Sequence, residues 1–508
     1  MDAIATLPQT RIEVKGRELA GEYAIALRRL CVRQLCSEPA CCELDFVERY
    51  DVDSLVKLFE PGVSLSVAVG ENPDRPVFAG QVTGIDVDHG PDNSVRVRIR
   101  AHDVLHQLQK RRPVRAHVDF SLAELARELV ADLGISVDAA ESGTVWHHWV
   151  QHARSDLELL KEISERCGQY FAVRGDVLHF YTLAGTGSAK TLVYGDTLLQ
   201  SRIRLRTDPA TRSVDVMGWD PWKTERHAGR VDTGRGAREP GDLLSPGAVG
   251  GSGHRAMRGM VIQSDDQGGA LAQAELDRCL AGEVSLWGIA EGDPGLYPGL
   301  RVDVQDLPAP LAGEFVLTAV NHTIDFQHGF TSEITTTVPE RVSPRQQGAT
   351  VSFGEVTQVD DPDGLARIKV SLPTYDDIET GWLEVVLPAA GRNKGLVALP
   401  DAGDRVLVLM PEADPAQGVV LGGLYGVEAP SDSGVEDGAI RRYTFMTPGG
   451  QKLSFDDDRN AVRIDTADGS HLEMAEEGLQ IHAHADLSIA APGKTITIRA
   501  ASIRFEDG

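Results

Sequence analysis

The sequence predicts a mainly β protein with minor α content. It should hold two β-barrels with inserted helices, a small barrel of the OB type, and a C-terminal β-prism intertwined from three copies of the chain. Three observations carry this expectation. Between Tyr443 and Gly508, two apolar residues separated by one other residue recur seven times, as Leu453/Phe455, Val462/Ile464, Leu472/Met474, Leu479/Ile481, Leu487/Ile489, Ile496/Ile498 and Ile503/Phe505. Residues 352–425 read as five short strands split by Gly- and Asp-rich turns. Residues 10–338 alternate long strand patterns with a few capped helices.

Taken in order, strands are predicted at Thr10–Lys15, Tyr23–Val32, Cys42–Val47, Ser64–Val69, Val77–Val87 and Val95–Ala101, punctuated by Gly16, Gly62, Gly70 and the Gly90-Pro91-Asp92-Asn93 turn. Ser121 with Glu124 three residues on is a capping box that opens a helix over Leu122–Leu133, and Gly134 ends it. Ser155 and Glu158 open a second helix to Cys167 in the same way, and a hairpin follows around Arg174-Gly175-Asp176. Residues 226–258, rich in Gly, Pro and Arg, read as an exposed loop. A helix over Ala270–Ala281 leads to strands at Glu283–Ala290, Arg301–Val304, Phe315–Asp325 and Phe330–Val338, which complete the second barrel. Polar linkers at Ser343–Ala349 and Glu428–Gly438 bracket the small barrel.

The C-terminal repeats carry the strongest argument. First members of successive pairs lie 9, 10, 7, 8, 9 and 7 residues apart, so each repeat is one short strand with one apolar edge. Turn-like breaks at Asp457–Asn460, Ala467–Gly469 and Ala491–Gly493 separate several of them. A single-chain β-helix needs about 20 residues per coil to close around its own core, and this spacing is less than half of that. No helix is available as a cover. A lone meander with a wet apolar face does not repay the ordering of its backbone, so further copies should cover it. The competing expectation is an ordinary antiparallel sheet packed on the preceding domain.

Composition narrows the function classes. A formal net charge of -26 argues against non-specific binding to nucleic acid or to anionic membranes. The opening residues lack the basic and apolar regions of a secretory signal, and no apolar run is long enough to span a bilayer, so synthesis and assembly in the cytoplasm are expected. Cys31, Cys36, Cys41, Cys42, Cys167 and Cys279 are too sparse for a disulfide framework and lack zinc spacing. Trp146-His147-His148-Trp149 with His152 could ligate a metal, but alternation puts the adjacent histidines on opposite faces. Gly185–Thr191 ends like a phosphate loop but has Ala before Lys190, and reads as a hairpin or loop. Asp456-x-Asp458-x-Asn460 lacks the Gly and the Glu of a calcium loop. No Gly-x-Ser-x-Gly elbow is present. No catalytic, cofactor-binding or metal-binding residue is assigned, apart from an ion that an inward polar ring near His482 and His484 could hold on the prism axis.

The order of these pieces resembles the VgrG family and related baseplate hub and spike proteins of contractile injection systems. The small barrel carries the likeness in Gly354–Thr357, Asp361–Gly364, Arg367–Val370, Gly381-Trp382, Gly403–Val408 and Gly422–Tyr425. Upstream it lies in Asp156–Leu160, Gly168–Phe171, Gly292–Pro294 and Gly329–Ser332. The resemblance implies a hub over residues 1–342, an OB collar over 350–427 and a spike over 439–508. It implies a homotrimer, non-enzymatic, that seats an inner tube, meets other baseplate components, and is driven through a target membrane when a sheath contracts. The fourteen apolar side chains of the seven pairs would be the trimer core. Ser502, Ile503, Arg504, Phe505, Glu506, Asp507 and Gly508 would dock a PAAR-like tip protein. The resemblance further implies assembly into a phage tail-like particle, then an extracellular or injected fate; the short needle leans towards such particles rather than type VI spikes. Two other classes compete: a cell-wall or polysaccharide hydrolase with a β-helical platform, and an OB-fold nucleic-acid binder using Tyr375, Trp382 and Tyr425.

Overall fold

The structure is a computed structural model that describes residues 8–47, 52–70, 76–91, 94–139, 144–220, 225–238, 245–308, 311–339, 348–411, 414–426 and 429–506. The predicted linker at 343–349, the Asp92-Asn93 turn and the last two predicted docking residues, Asp507 and Gly508, fall wholly or mostly outside them. Two units divide the chain, Met1–Gly422 and Gly423–Gly508.

The first unit is organised by one antiparallel sheet of eleven strands. Its two halves meet where Ala319–Asp325 pairs with Leu27–Leu35, which sets His322 opposite Val32. Each half encloses its own core, Leu44, Phe46, Phe59, Leu65 and Ile99 in one and Leu198, Leu286, Val302, Phe315 and Ile334 in the other. The two expected barrels are thus two curls of a shared sheet. Alternation explains the strands: in Val95–His102, Val97, Ile99 and Ala101 are buried, while Arg98 and Arg100 pair outward with Asp45 and Glu43 at 2.8 and 3.2 Å.

Both predicted capping boxes are present. The Ser121 hydroxyl accepts from the Glu124 amide at 3.3 Å while the Glu124 carboxylate accepts from the Ser121 amide at 2.8 Å. Ser155 and Glu158 repeat the exchange. The helices Leu122–Val130 and Asp156–Arg166 bury Leu125, Leu129, Leu160 and Ile163 in a third core with Phe171 and Leu178.

Three expectations are corrected. Tyr23–Val32 is not one strand: Gly21–Ala26 is helical and the strand runs over Leu27–Leu35. Ala24 and Ala26 favour the helix, which overrides the Tyr23/Ile25 alternation. Residues 226–258 are not a loop throughout: strands take both ends, and the described residues between 232 and 253 remain irregular and mostly exposed. Strands Glu225–Val231 and His254–Val261 flank Ser213–Asp220 beneath the helix Asp265–Glu283, with Val214, Val216, Leu271 and Leu276 between them. The glycines there permit close packing, since a Cβ on Gly229 would lie 2.2 Å from the Gly268 carbonyl carbon. Three of the six arginines in this stretch are ion-paired, Arg235 with Asp277, Arg255 with Glu275 and Arg258 with Asp215. Gly185–Thr191 mostly joins the strand Thr186–Val193, parallel to Leu300–Gln305, because Leu192 enters the second core.

The OB barrel is a six-stranded sheet around Val356, Ile368, Val370, Leu372, Leu383, Val406, Val408 and Val420. Its Asp361–Gly364 turn is set by Arg367, whose Nη2 donates to Asp361 at 2.7 Å and to Asp363 at 2.6 Å. The Asp361 carboxylate also accepts from the Asp363, Leu365 and Arg367 amides. The side-chain hydrogen bonds from Arg367 hold that carboxyl well below the usual range.

Candidate functional site

The second unit is a meander of five antiparallel strands, Arg442–Met446, Lys452–Asp456, Ala461–Asp465, His471–Ala475 and Gly478–His482. Tight turns connect them, and Asn460 and Gly469 take positive φ at 46° and 94° in two of the predicted breaks.

Register converts the sequence pairs into two continuous ladders. Phe445, Leu453, Ile464, Leu472 and Ile481 stand opposite one another strand to strand, and so do Tyr443, Phe455, Val462, Met474 and Leu479. Every rung is apolar. Tyr443 and Phe445 show the same spacing ahead of Leu453 and extend the predicted series by one pair.

This face is open. Phe455 and Ile464 are 49% exposed, Leu479 63% and Ile481 55%, while Leu453, Val462 and Leu472 are half-buried. Among the described residues of this unit only Gly434, Ser454 and Ala461 are buried. Ser454 and Ala461 belong to the opposite, polar face.

Over its first two strands, that polar face is crossed by a preceding segment of the chain. The Asp432 carboxylate lies against it, accepting from Arg442 Nε at 3.3 Å, Thr444 Oγ1 at 3.4 Å, Lys452 Nζ at 3.0 Å and the Gly434 amide at 2.9 Å. The Arg442 hydrogen bonds, followed by the Gly434 amide and Lys452, hold Asp432 well below its ordinary range. The Gly434 carbonyl accepts from the Arg441 and Arg442 amides at 2.7 and 3.1 Å. A side chain there would meet the Arg442 carbonyl, so the segment lies flat against the strand. Further out, Arg463 ties Asp465 and Glu473 together at 2.6 and 2.9 Å.

Beyond His482 the chain changes character. Residues 483–506 form no strand with the rest of the chain, and Leu487, Ile489, Ile496, Ile498, Ile503 and Phe505 are 48–94% exposed. The three last predicted strands are therefore not strands of this single chain, because each lacks a neighbour to complete its backbone hydrogen bonds. The predicted break at Ala491–Gly493 is a turn, with Lys494 N donating to the Ala491 carbonyl at 2.9 Å. Ser502 to Glu506 of the predicted docking segment are exposed.

The remaining candidates fall elsewhere. His482 stacks on His471 at 5.1 Å, on the polar face and away from the ladders. His147 is exposed and His148 half-buried, as alternation requires. All six cysteines are free, and burial pushes the Cys36 thiol up to about 12 and those of Cys41 and Cys167 up to about 11. Among the described residues no group of three His, Cys, Asp or Glu could hold a metal ion.

Comparison with known proteins agrees with this architecture. Residues 353–425 match the model of the type VI secretion system/phage-baseplate injector OB domain. An E. coli protein described as a component of the type VI secretion system, structurally similar to the T4 bacteriophage tail proteins gp27 and gp5, shares the fold. Its TM-score is 0.53 at 14% identity, over 82% of this chain and 99% of that one. A chain of the lidded Francisella PdpA-VgrG complex matches with TM-score 0.55 at 10% identity, over 94% of this chain and 80% of its own. The half-lidded complex gives 0.55 at 9% identity, over 95% and 89%. No curated protein sequence matches the chain. The fold and its OB domain are those of VgrG-like baseplate hub and spike proteins. Over residues 10–325 the chain matches the model described as the Alg8 N-terminal domain, and it belongs to that family.

Proposed function

We propose that three copies of this chain form the central hub and spike of a contractile injection system. The observation that carries this reading is the packing of the second unit: two five-rung apolar ladders lie open, and the segment the chain does lay on the meander, around Asp432, crosses the polar side. Three such faces turned towards one axis would bury Leu453, Phe455, Val462, Ile464, Leu472, Met474, Leu479 and Ile481. The unpaired segment 483–506 would complete its hydrogen bonds with the other copies, adding Leu487, Ile489, Ile496, Ile498, Ile503 and Phe505 to the same core. A water-excluding prism of this kind transmits force without local unfolding.

In this reading the hub seats the inner tube among other baseplate components, and Ser502–Gly508 carries a PAAR-like tip protein. Assembly occurs in the cytoplasm, and sheath contraction drives the spike through a target membrane. The role is mechanical, with no catalytic residue. Mass photometry of the purified chain should give three copies, and electron micrographs of the native particle should show a sheath and tube. A monomer that persists at micromolar concentration, or clearing on a cell-wall zymogram, counts against the proposal.

A further inference from the structure

The OB barrel holds a second pair of uncovered surfaces, and they complement each other. Between Val386, whose amide donates to the Val420 carbonyl at 2.8 Å, and Gly403, whose amide donates to the Val356 carbonyl at 2.9 Å, the chain leaves the barrel as an arm. Residues 388–398 are all exposed. The backbone bonds there are internal to the arm, such as Leu396 N to the Pro388 carbonyl at 3.0 Å and Lys394 N to the Gly391 carbonyl at 3.1 Å. Yet the arm is not a polar loop: Leu396 is 48% exposed and Val397 71%. Its tip carries Arg392 and Lys394, neither with an ion-pair partner among the described residues.

The barrel presents the counterpart. Along Thr350–Gln358, Val351 and Phe353 point outward at 53% and 54% exposure, opposite half-buried Leu409 and Leu407, with Leu421 exposed on the next strand. Glu355 is exposed two residues along the same row. Residues 350–425 contain 12 Asp and Glu against 5 Lys and Arg. Of the five, Arg367 and Lys369 are paired with Asp361 and Glu379, and Arg405 lies over Phe353. The two cations left without a partner among the described residues are those at the arm's tip.

We infer that the arm of one copy packs on the Val351/Phe353 face of the next copy's OB barrel. The occupant is a second copy because both halves of the complementary pair, apolar to apolar and basic tip to acidic barrel, lie on this one chain. A contact between two different patches is head-to-tail, and it closes when the rotation between copies closes, here after three. The inference rests on the trimer proposed above, and it places a second, independent clasp in the collar.

The test uses the full chain carrying Val397→Cys and Phe353→Cys, treated with a short bismaleimide and run on a denaturing gel. Both positions are exposed, and five of the six native cysteines are buried. Covalent dimer and trimer bands are expected from the double variant and only monomer from either single variant. The same result is expected for Leu396→Cys with Val351→Cys. Monomer bands from both double variants, in protein whose native mass is three copies, overturn the clasp and leave the spike reading standing. Dimers from Val397→Cys alone place arm against arm and also overturn it. A native mass of one copy overturns both.

Discussion

The strand Val95–His102 of the first unit and the strand Ala461–Asp465 of the second obey one rule and reach opposite ends. Both alternate apolar and polar residues. In the first, Val97, Ile99 and Ala101 vanish into a core and the arginines between them face acids on the neighbouring strand. In the second, Ile464 is half exposed while Arg463, on the other side, is wrapped in Asp465 and Glu473. Alternation specifies that a strand has two unlike faces. It does not specify which molecule covers the apolar one. Where the same chain supplies the cover, stability belongs to the monomer; where other copies supply it, stability depends on concentration.

The largest expected effect breaks that contrast outright. In the proposed trimer, Ile464→Asp sets a carboxylate in the middle of a ladder three times over, and each copy forfeits about 1.5–3 kcal/mol of burial before the cost of the charge. The native mass should fall from three copies to one, with the thermal transition of the first unit unmoved. Joint loss of both would show that the units do not differ in this way. Leu44→Ala, at a fully buried position of the first core, should cost about 2–5 kcal/mol. Its shift in melting temperature should be the same at all protein concentrations, whereas the shift caused by Ile464→Ala should grow on dilution.

Arg367→Ala leaves Asp361 buried without its cation and should destabilise the OB barrel by about 3 kcal/mol. Calorimetry that finds no change would remove Arg367 as the determinant of that turn. The eleven-stranded sheet of the first unit also has its own pH dependence. His322 is buried where the sheet halves join, bonded to Ser332 Oγ at 2.9 Å and the Leu296 carbonyl at 3.1 Å, and burial lowers its pKa to about 4. The folded value lies below the unfolded one, so this contribution is intact above about pH 6.5 and is lost as pH falls towards 4. Melting curves at pH 7.5 and 4.5 should differ by more in the native chain than in His322→Asn. The smallest effect is Ser121→Ala, about 1 kcal/mol for a lost N-cap, read as a modest drop in the denaturant midpoint.

Much of this molecule was legible from local pattern. Ser121/Glu124 and Ser155/Glu158 marked two helix starts because capping is decided within a single turn of chain. The apolar pairs from Leu453 to Ile481 marked strands because side-chain direction alternates within one strand. Glycine misled where it served packing: Gly229 lies against Gly268, far along the chain, and that approach has no local signature. What the tertiary structure alone decided was register and cover. Pairing aligned ten apolar side chains into two ladders. It also joined both halves of the eleven-stranded sheet through Ala319–Asp325 and Leu27–Leu35, and laid Asp432 against the polar face of the meander's first strands. The physical reason is one of range. Periodicity and capping act over a few residues of one strand or turn, while the choice of what buries an apolar face is made by contacts between segments far apart in the chain.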